Sequence, residues 1–276
     1  METSEVKKIL KKLGRIPNRV MGQNFLIDGT VLKRIANSLP TGGTILEIGA
    51  GLGALTFQLP QAAKIVAIEK DPILAGWLKE EGARQDYKNL TVVPGDILKQ
   101  PSEWFLGIGP YFAVGNIPYY LTTRLIRKLL EEVPAPQEII FTIQKEVAER
   151  IVAKRSGSSL LSIAVQVYGE PEILFSIPRN KFWPMPTVDS AVIKIANISK
   201  HNFPHLEDEQ LFFKILRTAF QGKRKVLTNT LAGLYGKEGV RTALGQIGKS
   251  EHARPEELNV VEWCSLVRRL SEDALS

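Results

Sequence analysis

The segment at residues 114–123, VGNIPYYLTT, places polar and aromatic groups where they do little for a core. The Asn116 side chain and the Ile117 main chain each offer a carbonyl acceptor, while Pro118 fixes the turn and removes a competing donor. Such acceptors can hold the hydrogens of an amine whose lone pair is delocalised into an aromatic ring. Tyr119 adds a ring face for stacking on a flat base. The segment indicates chemistry at the exocyclic amine of a base taken out of its stack, unless the tyrosine simply packs in the core.

Three glycines lie within residues 45–56, ILEIGAGLGALT, directly after an apolar run and before a helical pattern. Gly49, Gly51 and Gly53 would let the backbone turn tightly and approach a ligand closely. The same letters can be fitted to the dinucleotide-binding pattern, so this loop alone leaves a nicotinamide enzyme open.

Two acids end the next two β-like runs. Glu69 ends KIVAIE, sixteen residues after Gly53, where a carboxylate would accept hydrogen bonds from a ribose diol. Asp96 follows LTVVPG and could accept a hydrogen bond from an adenine amino group. Surface acids in loops are the alternative, but the glycine loop upstream favours a nucleoside ligand.

The segment GQNFLID at residues 22–28 precedes the first strand of this series. Gln23, Asn24 and Leu26 could close over a ligand as a lid. The same letters also predict the start of a helix, capped by Asp28.

A second flanking segment, KFWPMPTVDSAV, puts Phe182 ahead of Pro184 and Pro186. The two prolines predict a stiff extended loop. Phe182 could cover the second face of the base, or it could be a packing residue.

The elements that must position these residues follow from the hydrophobic pattern. Residues 41–150 alternate β-branched runs with helical patterns, which predicts parallel strands joined by crossover helices. Two later β-like runs, SLLSIAVQVYG and SAVIKIAN, would complete one mixed sheet of about seven strands. Because ligands of open parallel sheets bind at the carboxyl ends of the strands, Asn116 would face the ligand.

The β signal stops after about residue 196, and the remaining chain is helical with interspersed glycines. The sequence therefore predicts an α/β domain over residues 1–196 and a small helical domain over residues 197–276. Residues 1–21 of the first domain form a basic arm.

Composition narrows the class of protein. With 276 residues, 44% of them hydrophobic and 24% charged, the chain can bury a full core. No apolar run approaches the roughly 18 residues that a membrane span needs, so we expect a cytoplasmic protein with no membrane partner. A single cysteine excludes an internal disulfide, and three scattered histidines offer no metal-ligand spacing, so no metal is expected.

The charge distribution suggests a polyanionic partner. The formal net charge is +7, and residues 1–34 carry eight lysines or arginines against three acids. A solvated face of an amphipathic helix would explain the lysine spacing in this arm equally well. A second cluster, formed by Lys223, Arg224 and Lys225, is predicted to contact RNA phosphates.

Eight segments, GQNFL, EIGAGLGALT, VAIEKD, GDIL, NIPYYLTT, QKEVAERI, FWPMPTVDSAV and AFQGKRKVLTNTL, appear in this order from about residue 22 to about residue 231. Together they strongly resemble the small-subunit ribosomal RNA adenine dimethyltransferases. The resemblance implies a Rossmann-like α/β sheet that uses S-adenosylmethionine, with a small all-helical C-terminal domain. It also implies N6,N6-dimethylation of two adjacent adenosines in the 3′-terminal hairpin of 16S rRNA within the 30S subunit, by a monomer with a role in biogenesis of that subunit.

Carried over residue by residue, the resemblance implies catalytic roles for Asn116 and Tyr119 and stacking of the target base on Phe182. The cofactor contacts it implies, with Gln23 and Gly51 added from the segments above, are Gln23, Asn24, Leu26, Gly49, Gly51, Glu69, Asp96 and Asn116. The chain departs from the family pattern at two places that bear on RNA contact. The loop at residues 154–160 is shorter than is usual in the family, and Lys223-Arg224-Lys225 stands where the family typically has an arginine pair.

Three other functions share parts of this pattern. A related class of enzymes dimethylates an adenosine of large-subunit rRNA and confers macrolide resistance, but the C-terminal AFQGKRKVLTNTL favours the small-subunit class. An assembly factor that holds immature subunits would carry the same basic surface. A nicotinamide enzyme is disfavoured because the Asn-Ile-Pro-Tyr segment has no role in hydride transfer.

Overall fold

The computed structural model of the chain describes residues 1–17, 22–153, 157–222 and 225–273. Its strands, numbered in chain order, are β1 Phe25–Leu26, β2 Thr44–Ile48, β3 Lys64–Glu69, β4 Leu90–Pro94, β5 Tyr111–Asn116, β6 Ile139–Gln144, β7 Glu170–Ile177, β8 Phe182–Trp183 and β9 Ser190–Ala196. Its α-helices are α1 Thr3–Lys12, α2 Gly29–Ala36, α3 Pro72–Arg84, α4 Ser102–Ile108, α5 Thr122–Arg127, α6 Lys145–Val152, α7 Leu160–Gln166, α8 Leu206–Phe220, α9 Leu227–Thr230, α10 Ala232–Gln246 and α11 Val260–Asp273.

Seven of the described strands form one sheet in the order β4-β3-β2-β5-β6-β9-β7. The first five strands in this order are parallel, whereas β9 is antiparallel to both β6 and β7. The chain runs outward from β2 through β3 to β4, then returns to the other side of β2 with β5. The order therefore reverses at β2, and the crevice at the carboxyl ends of β2 and β5 is where such sheets bind ligands.

The central strands are apolar because both of their faces are covered. Every residue of β2 after its first is buried, as is every residue of β3 after its first. This near-continuous burial is typical of parallel strands with crossover helices on each side. Local signals start those helices: the Asp71 carboxylate accepts the Ile73 N–H at 2.9 Å and Pro72 opens α3.

The chain divides into two compact units. One unit comprises Met1–Ala148 with Glu170–Ile198 and contains the sheet, and the other comprises Glu149–Gly169 with Ser199–Ser276. This division differs from the predicted one, which had a single boundary near residue 196, because residues 149–169 belong with the C-terminal helices. The reason lies in side-chain packing within the second unit, where Tyr168 stacks on Phe213 with ring centroids 5.9 Å apart.

One predicted strand is wrong. The segment SLLSIAVQVYG contains helix α7, and the edge strand of the sheet is β7, eight residues that begin at Glu170. A reciprocal cap starts the helix: the Ser162 N–H donates to Ser159 Oγ at 3.1 Å, and the Ser159 N–H donates to Ser162 Oγ at 2.7 Å. This cap, together with the burial of four consecutive residues, Ser162, Ile163, Ala164 and Val165, outweighs the β propensity of the branched side chains.

Two elements depart from regular α-helix. The helical pattern expected after the glycine segment is only a 3₁₀ turn over Thr56–Gln58. Helix α5 is followed directly by a π-helical turn over Lys128–Glu132. No helix among the described residues is long and apolar enough to cross a membrane.

Candidate active site

A cavity opens at the carboxyl ends of the parallel strands in the unit that contains the sheet. All ten residues that the sequence assigned to cofactor binding or catalysis line it: Gln23, Asn24, Leu26, Gly49, Gly51, Glu69, Asp96, Asn116, Tyr119 and Phe182. They come from the segment before α2, the turn after β2, the ends of β3 and β5, the turn after β4, and β8. The topology therefore brings together side chains that are far apart in the sequence.

The turn after β2 requires glycine at the positions that the sequence singled out. Gly49 and Gly51 have φ values of 73° and 56°, a region that glycine adopts without steric cost. The Gly51 N–H donates to Glu69 Oε2 at 2.8 Å, so the turn is fixed directly to the end of β3.

The Glu69 carboxylate is 6% exposed and is held at both oxygens. Its Oε1 accepts the Asp71 N–H at 2.9 Å, and its Oε2 accepts the Gly51 N–H. Burial raises the pKa of Glu69 above its ordinary value, against the lowering effect of these two hydrogen bonds. Since each carboxylate oxygen can accept a further hydrogen bond, this side chain can still bind a pair of hydroxyl groups.

Asp96 follows β4, the neighbour of β3, at the same carboxyl end of the sheet. Its Oδ1 accepts the Leu98 N–H at 3.0 Å, and its Oδ2 lies 3.0 Å from Lys70 Nζ. Burial acts to raise the pKa of Asp96, but hydrogen bonds from Lys70 and the Leu98 N–H outweigh it and leave the pKa below its ordinary value. The carboxylate is therefore ionised at neutral pH and is a hydrogen-bond acceptor.

Asn116 ends β5 and is oriented by a contact that crosses the cavity. Its side-chain Nδ2 donates to the main-chain oxygen of Asn24 at 2.8 Å. One of the two Nδ2 hydrogens is thus used, and the bond fixes the orientation of the amide. In the part of the chain that the structure describes, Oδ1 has no hydrogen-bond partner, which leaves it as an acceptor at the cavity.

Tyr119 is fixed by its hydroxyl group. The Tyr119 hydroxyl oxygen lies 2.9 Å from the Oγ of Ser190, which is completely buried at the start of β9. Burial raises the pKa of Tyr119, and the hydrogen bond with Ser190 opposes this effect. The tyrosine is therefore neutral at physiological pH, and its ring is fixed at the hydroxyl end.

Phe182 forms part of the cavity wall. Its ring is 3% exposed and packs in a cluster with Leu26 and Leu32. An open ring face, as stacking on a base requires, is therefore not found at this position in the structure, and stacking there stays a prediction. Tyr120, which the sequence analysis did not single out, lines the same cavity with 60% of its surface exposed.

The segment around Gln23, Asn24 and Leu26 is anchored to β8. Strand β1 pairs antiparallel with β8, so that Leu26 opposes Phe182. Lys181 Nζ lies 2.6 Å from Asp28 Oδ2, and this contact is the main cause of the lowered pKa of Asp28. Asp28 also caps α2, as the sequence predicted, by accepting the Val31 N–H at 3.0 Å.

The sequence analysis missed Glu47, the fourth residue of β2. Its side chain is 2% exposed and lines the cavity, and its Oε2 has no hydrogen-bond partner among the described residues. Burial raises the pKa of Glu47 to about 8, and the negative charge of Glu69 contributes. A detectable signal was present: Glu47 is an acid within the apolar run ILEI.

We expect Glu47→Gln to change how stability depends on pH. Because the pKa of Glu47 is raised in the folded state, the unfolded chain binds fewer protons between its ordinary pKa of 4.5 and about 8. The free energy of unfolding of the native sequence therefore falls as the pH rises through this window. The glutamine variant lacks this contribution, so its stability relative to the native sequence should rise by at least about 1 kcal/mol between pH 5 and pH 8.

Denaturant unfolding at pH 5, 6.5 and 8 measures this difference, and any constant offset from the substitution cancels. The exposed Glu80 provides the control, because Glu80→Gln should leave the pH profile unchanged. Parallel profiles for Glu47→Gln and the native sequence would contradict the prediction.

The predicted RNA contacts lie in the second unit. Lys225 is exposed, whereas Lys223 and Arg224 lie outside the described residues. Among the described residues, no group of three or more metal-ligating side chains could hold a metal ion.

Three features define a Rossmann-like methyltransferase. They are the glycine turn where the strand order reverses, the acids at the carboxyl ends of β3 and β4, and the Asn-Ile-Pro-Tyr segment that begins at the last residue of β5. The sequence model of the ribosomal RNA adenine dimethylase family matches residues 16–272. The chain belongs to this family.

Individual relatives agree with this assignment. Ribosomal RNA small subunit methyltransferase A of Geobacillus thermodenitrificans is 38% identical, with 96% of this chain and 94% of the relative covered. The protein of the same name from Listeria monocytogenes is 37% identical over the same shares of the two chains.

Solved structures support the fold. The 23S rRNA methyltransferase ErmE is 27% identical and matches with a TM-score of 0.73, over 90% of this chain and all of that one. A dimethyladenosine transferase from Plasmodium falciparum matches with a TM-score of 0.74 at 24% identity, over 91% of this chain and 98% of that one.

The family and fold identify S-adenosylmethionine as the methyl donor. The cavity fits this molecule. Glu69 offers a doubly anchored carboxylate for a ribose diol, and Asp96 offers an ionised acceptor for an adenine amino group. The left-handed backbone at Gly49 and Gly51 allows a close approach of the ligand.

Proposed function

We propose that the chain dimethylates N6 of two adjacent adenosines in the 3′-terminal hairpin of 16S rRNA, within the 30S subunit during its biogenesis. The single observation that carries the chemistry is the Asn116 amide. Its nitrogen donates one hydrogen bond to the Asn24 main-chain oxygen, and its side-chain oxygen is available as an acceptor at the cavity. The substrate class is supported by the curated relatives, which are named for the small ribosomal subunit.

Asn116 Oδ1 and the Ile117 carbonyl would accept the two hydrogens of the target N6 amine. This draws the amine out of conjugation with its ring, so that its lone pair is available for in-line attack on a methyl group. Bound S-adenosylmethionine supplies that electrophilic methyl group. The N–C bond would form as the bond from that methyl group to sulfur breaks, and the amine would release a proton to solvent. After the first transfer one hydrogen remains, so a single acceptor must suffice in the second round.

Tyr119 would stack on one face of the flipped adenine, and Phe182 would close the other. Stacking needs a ring that is already fixed in the right plane. The hydrogen bond between Tyr119 and the buried Ser190 supports this role, because it restricts rotation of the tyrosine.

We expect Ser190→Ala to lower kcat by about 3- to 10-fold, because a net hydrogen-bond contribution of about 1 kcal/mol is lost from ring positioning. The affinity for S-adenosylmethionine should stay within about twofold, since Ser190 is not among the residues lining the cavity. Steady-state kinetics and calorimetric titration measure the two quantities.

A double-mutant cycle tests whether Ser190 acts through Tyr119. Tyr119→Phe should reproduce the loss, and the double variant should lose no more than either single variant. Ser176→Ala, at an exposed position of β7, is the matched control. Additive losses would show that Ser190 acts by another route.

Cofactor binding is assigned to the other lining residues. Glu69 would accept the ribose hydroxyls, and Asp96 would accept the adenine amino group of the cofactor. Gly49 and Gly51 would admit its close approach, and the segment containing Gln23, Asn24 and Leu26 would cover it.

The second unit is proposed to contact rRNA through Lys223, Arg224 and Lys225. The exposure of Lys225 and the three cations together support this contact. The chain would act as a monomer, without metal, in the cytoplasm where ribosomal subunits are assembled.

The test is incubation with labelled S-adenosylmethionine and 30S subunits that lack the modification, followed by digestion of the RNA. Two adjacent N6,N6-dimethyladenosines near the 3′ end would support the proposal. Label in 23S rRNA instead would assign the chain to the large-subunit class, and label in neither RNA would refute the proposed activity.

A further inference from the structure

Helix α1 packs one face beside the cavity. Val6 and Leu10 are buried and form a cluster with Leu52, Leu74 and Trp77. Leu52 and Leu74 also line the cavity. The helix is therefore fixed against the outer side of the cavity wall, within the unit that contains the sheet.

The opposite face of α1 carries four exposed lysines, Lys7, Lys8, Lys11 and Lys12, which we name the lysine face. None of their ammonium groups forms an ion pair with a carboxylate in the described ranges of the chain. At about 1.5 Å rise per residue, the four lysines extend over about 7.5 Å of the helix axis.

Two contacts locate the lysine face relative to the cavity. Lys7 Nζ lies 5.5 Å from the centroid of the Trp183 ring, and Trp183 is the neighbour of Phe182 in β8. Lys12 Nζ lies 5.7 Å from the centroid of the Trp77 ring. The cations therefore lie next to aromatic residues that pack against the cavity wall.

The chain that follows α1 is tied to the site itself. Arg15 Nη2 lies 3.1 Å from Asp71 Oδ1, and the Asp71 N–H donates to the Glu69 carboxylate. Apolar packing of Val6 and Leu10 holds the helix that carries the lysine face, and this ion pair holds the chain just after the helix. A partner that binds the lysine face would meet a helix whose backbone is already ordered, so that only the lysine side chains would lose conformational freedom.

The spacing of the four lysines destabilises helix α1. The pairs Lys7 with Lys11 and Lys8 with Lys12 are four residues apart, and like charges at this spacing destabilise a helix by a few tenths of a kcal/mol. The negative end of the helix dipole offsets this only for the last turn. A surface that only faces solvent does not require four positive charges so close together. A bound polyanion would neutralise them.

We propose that the lysine face binds phosphates of the RNA strand that flanks the adenosine entering the cavity. This inference rests on the proposed function, because it requires RNA as the substrate. It assigns to α1 a contact separate from that of Lys223, Arg224 and Lys225, and adjacent to the reacting base.

The test compares two full-length variants with equal loss of charge. In the first, the four lysines of the lysine face are replaced by glutamine: Lys7→Gln, Lys8→Gln, Lys11→Gln and Lys12→Gln. In the control, four exposed lysines of the same unit that do not line the cavity are replaced: Lys33→Gln, Lys64→Gln, Lys79→Gln and Lys88→Gln. The probe is an oligonucleotide with the 3′-terminal hairpin of 16S rRNA, titrated at several salt concentrations.

The lysine-face variant should bind the hairpin about 10- to 100-fold more weakly, with the slope of log Kd against log salt reduced by about 3. The control should change Kd by less than about threefold. Affinity for S-adenosylmethionine should be unchanged in both. A third variant with arginine at the four positions should retain binding, because the charges remain.

Equal losses in the two glutamine variants would overturn the proposal, since they would reflect net charge alone. Loss of binding in the arginine variant would overturn it too, because it would indicate a role in packing. The methylation assay on the unaltered chain distinguishes this result from failure of the proposed function. If the unaltered chain forms no dimethyladenosine, the proposed function is refuted. If it forms the product and the two glutamine variants lose equal affinity for the hairpin, only the role of the lysine face is refuted.

Discussion

Asn116→Ala should lower turnover by about 10²-fold or more, with only a modest loss of affinity for S-adenosylmethionine. The reason is that Asn116 Oδ1 would hold an amine hydrogen most strongly when the amine attacks, so its removal raises the barrier more than it weakens binding. Single-turnover rates with hairpin RNA measure the chemical step, and calorimetric titration measures cofactor binding.

Two further substitutions sharpen the interpretation. Asn116→Asp keeps an acceptor oxygen but loses the N–H that donates to the Asn24 carbonyl, so it separates the acceptor role from the orientation of the amide. Asn180→Ala, at an exposed turn position that does not line the cavity, is the matched control and should retain full turnover. Unchanged turnover in Asn116→Ala would remove this residue from the mechanism.

The second large effect is expected at Glu69. Glu69→Ala should weaken S-adenosylmethionine binding by about 10²-fold or more, because two hydroxyl hydrogen bonds to a buried carboxylate contribute roughly 1.5–3 kcal/mol each. It should also lower the melting temperature, because the Gly51 and Asp71 N–H groups lose their acceptor. Titration calorimetry and thermal unfolding give the two results separately.

Two ligands test whether the affinity lost in Glu69→Ala came from hydrogen bonds to the ribose hydroxyls. The native protein should prefer adenosine to 2′,3′-dideoxyadenosine, and Glu69→Ala should bind both equally weakly. Glu80→Ala, exposed on α3, should preserve both the preference and the melting temperature. If Glu69→Ala still preferred adenosine, the ribose hydroxyls would have another partner.

The orientation of the Asn116 amide links these predictions to the fold. The Asn24 carbonyl that holds Asn116 belongs to a segment that β8 anchors through backbone pairing and through the contact between Lys181 and Asp28. Substitutions that loosen this anchor should therefore lower turnover through the angle of the Asn116 side chain, even though they lie away from the reacting atoms.

The sequence by itself determined the features that depend on neighbouring residues. The glycines after β2, the acids that end β3 and β4, and the Asp28 cap of α2 are all where the pattern predicted them. Strand period, turn chemistry and helix caps act over a few residues. Because parallel strands end at a common edge, the order of elements was also enough to predict that Glu69, Asp96 and Asn116 lie together.

Tertiary structure alone decided the contacts between distant segments. The bond from Asn116 to Asn24 and the bond between Tyr119 and Ser190 join residues 92 and 71 positions apart. Packing likewise buried Phe182 and raised the pKa of Glu47 to about 8. These outcomes depend on strand register and on which surfaces exclude water, and neither property is contained in the spacing of residues along the chain.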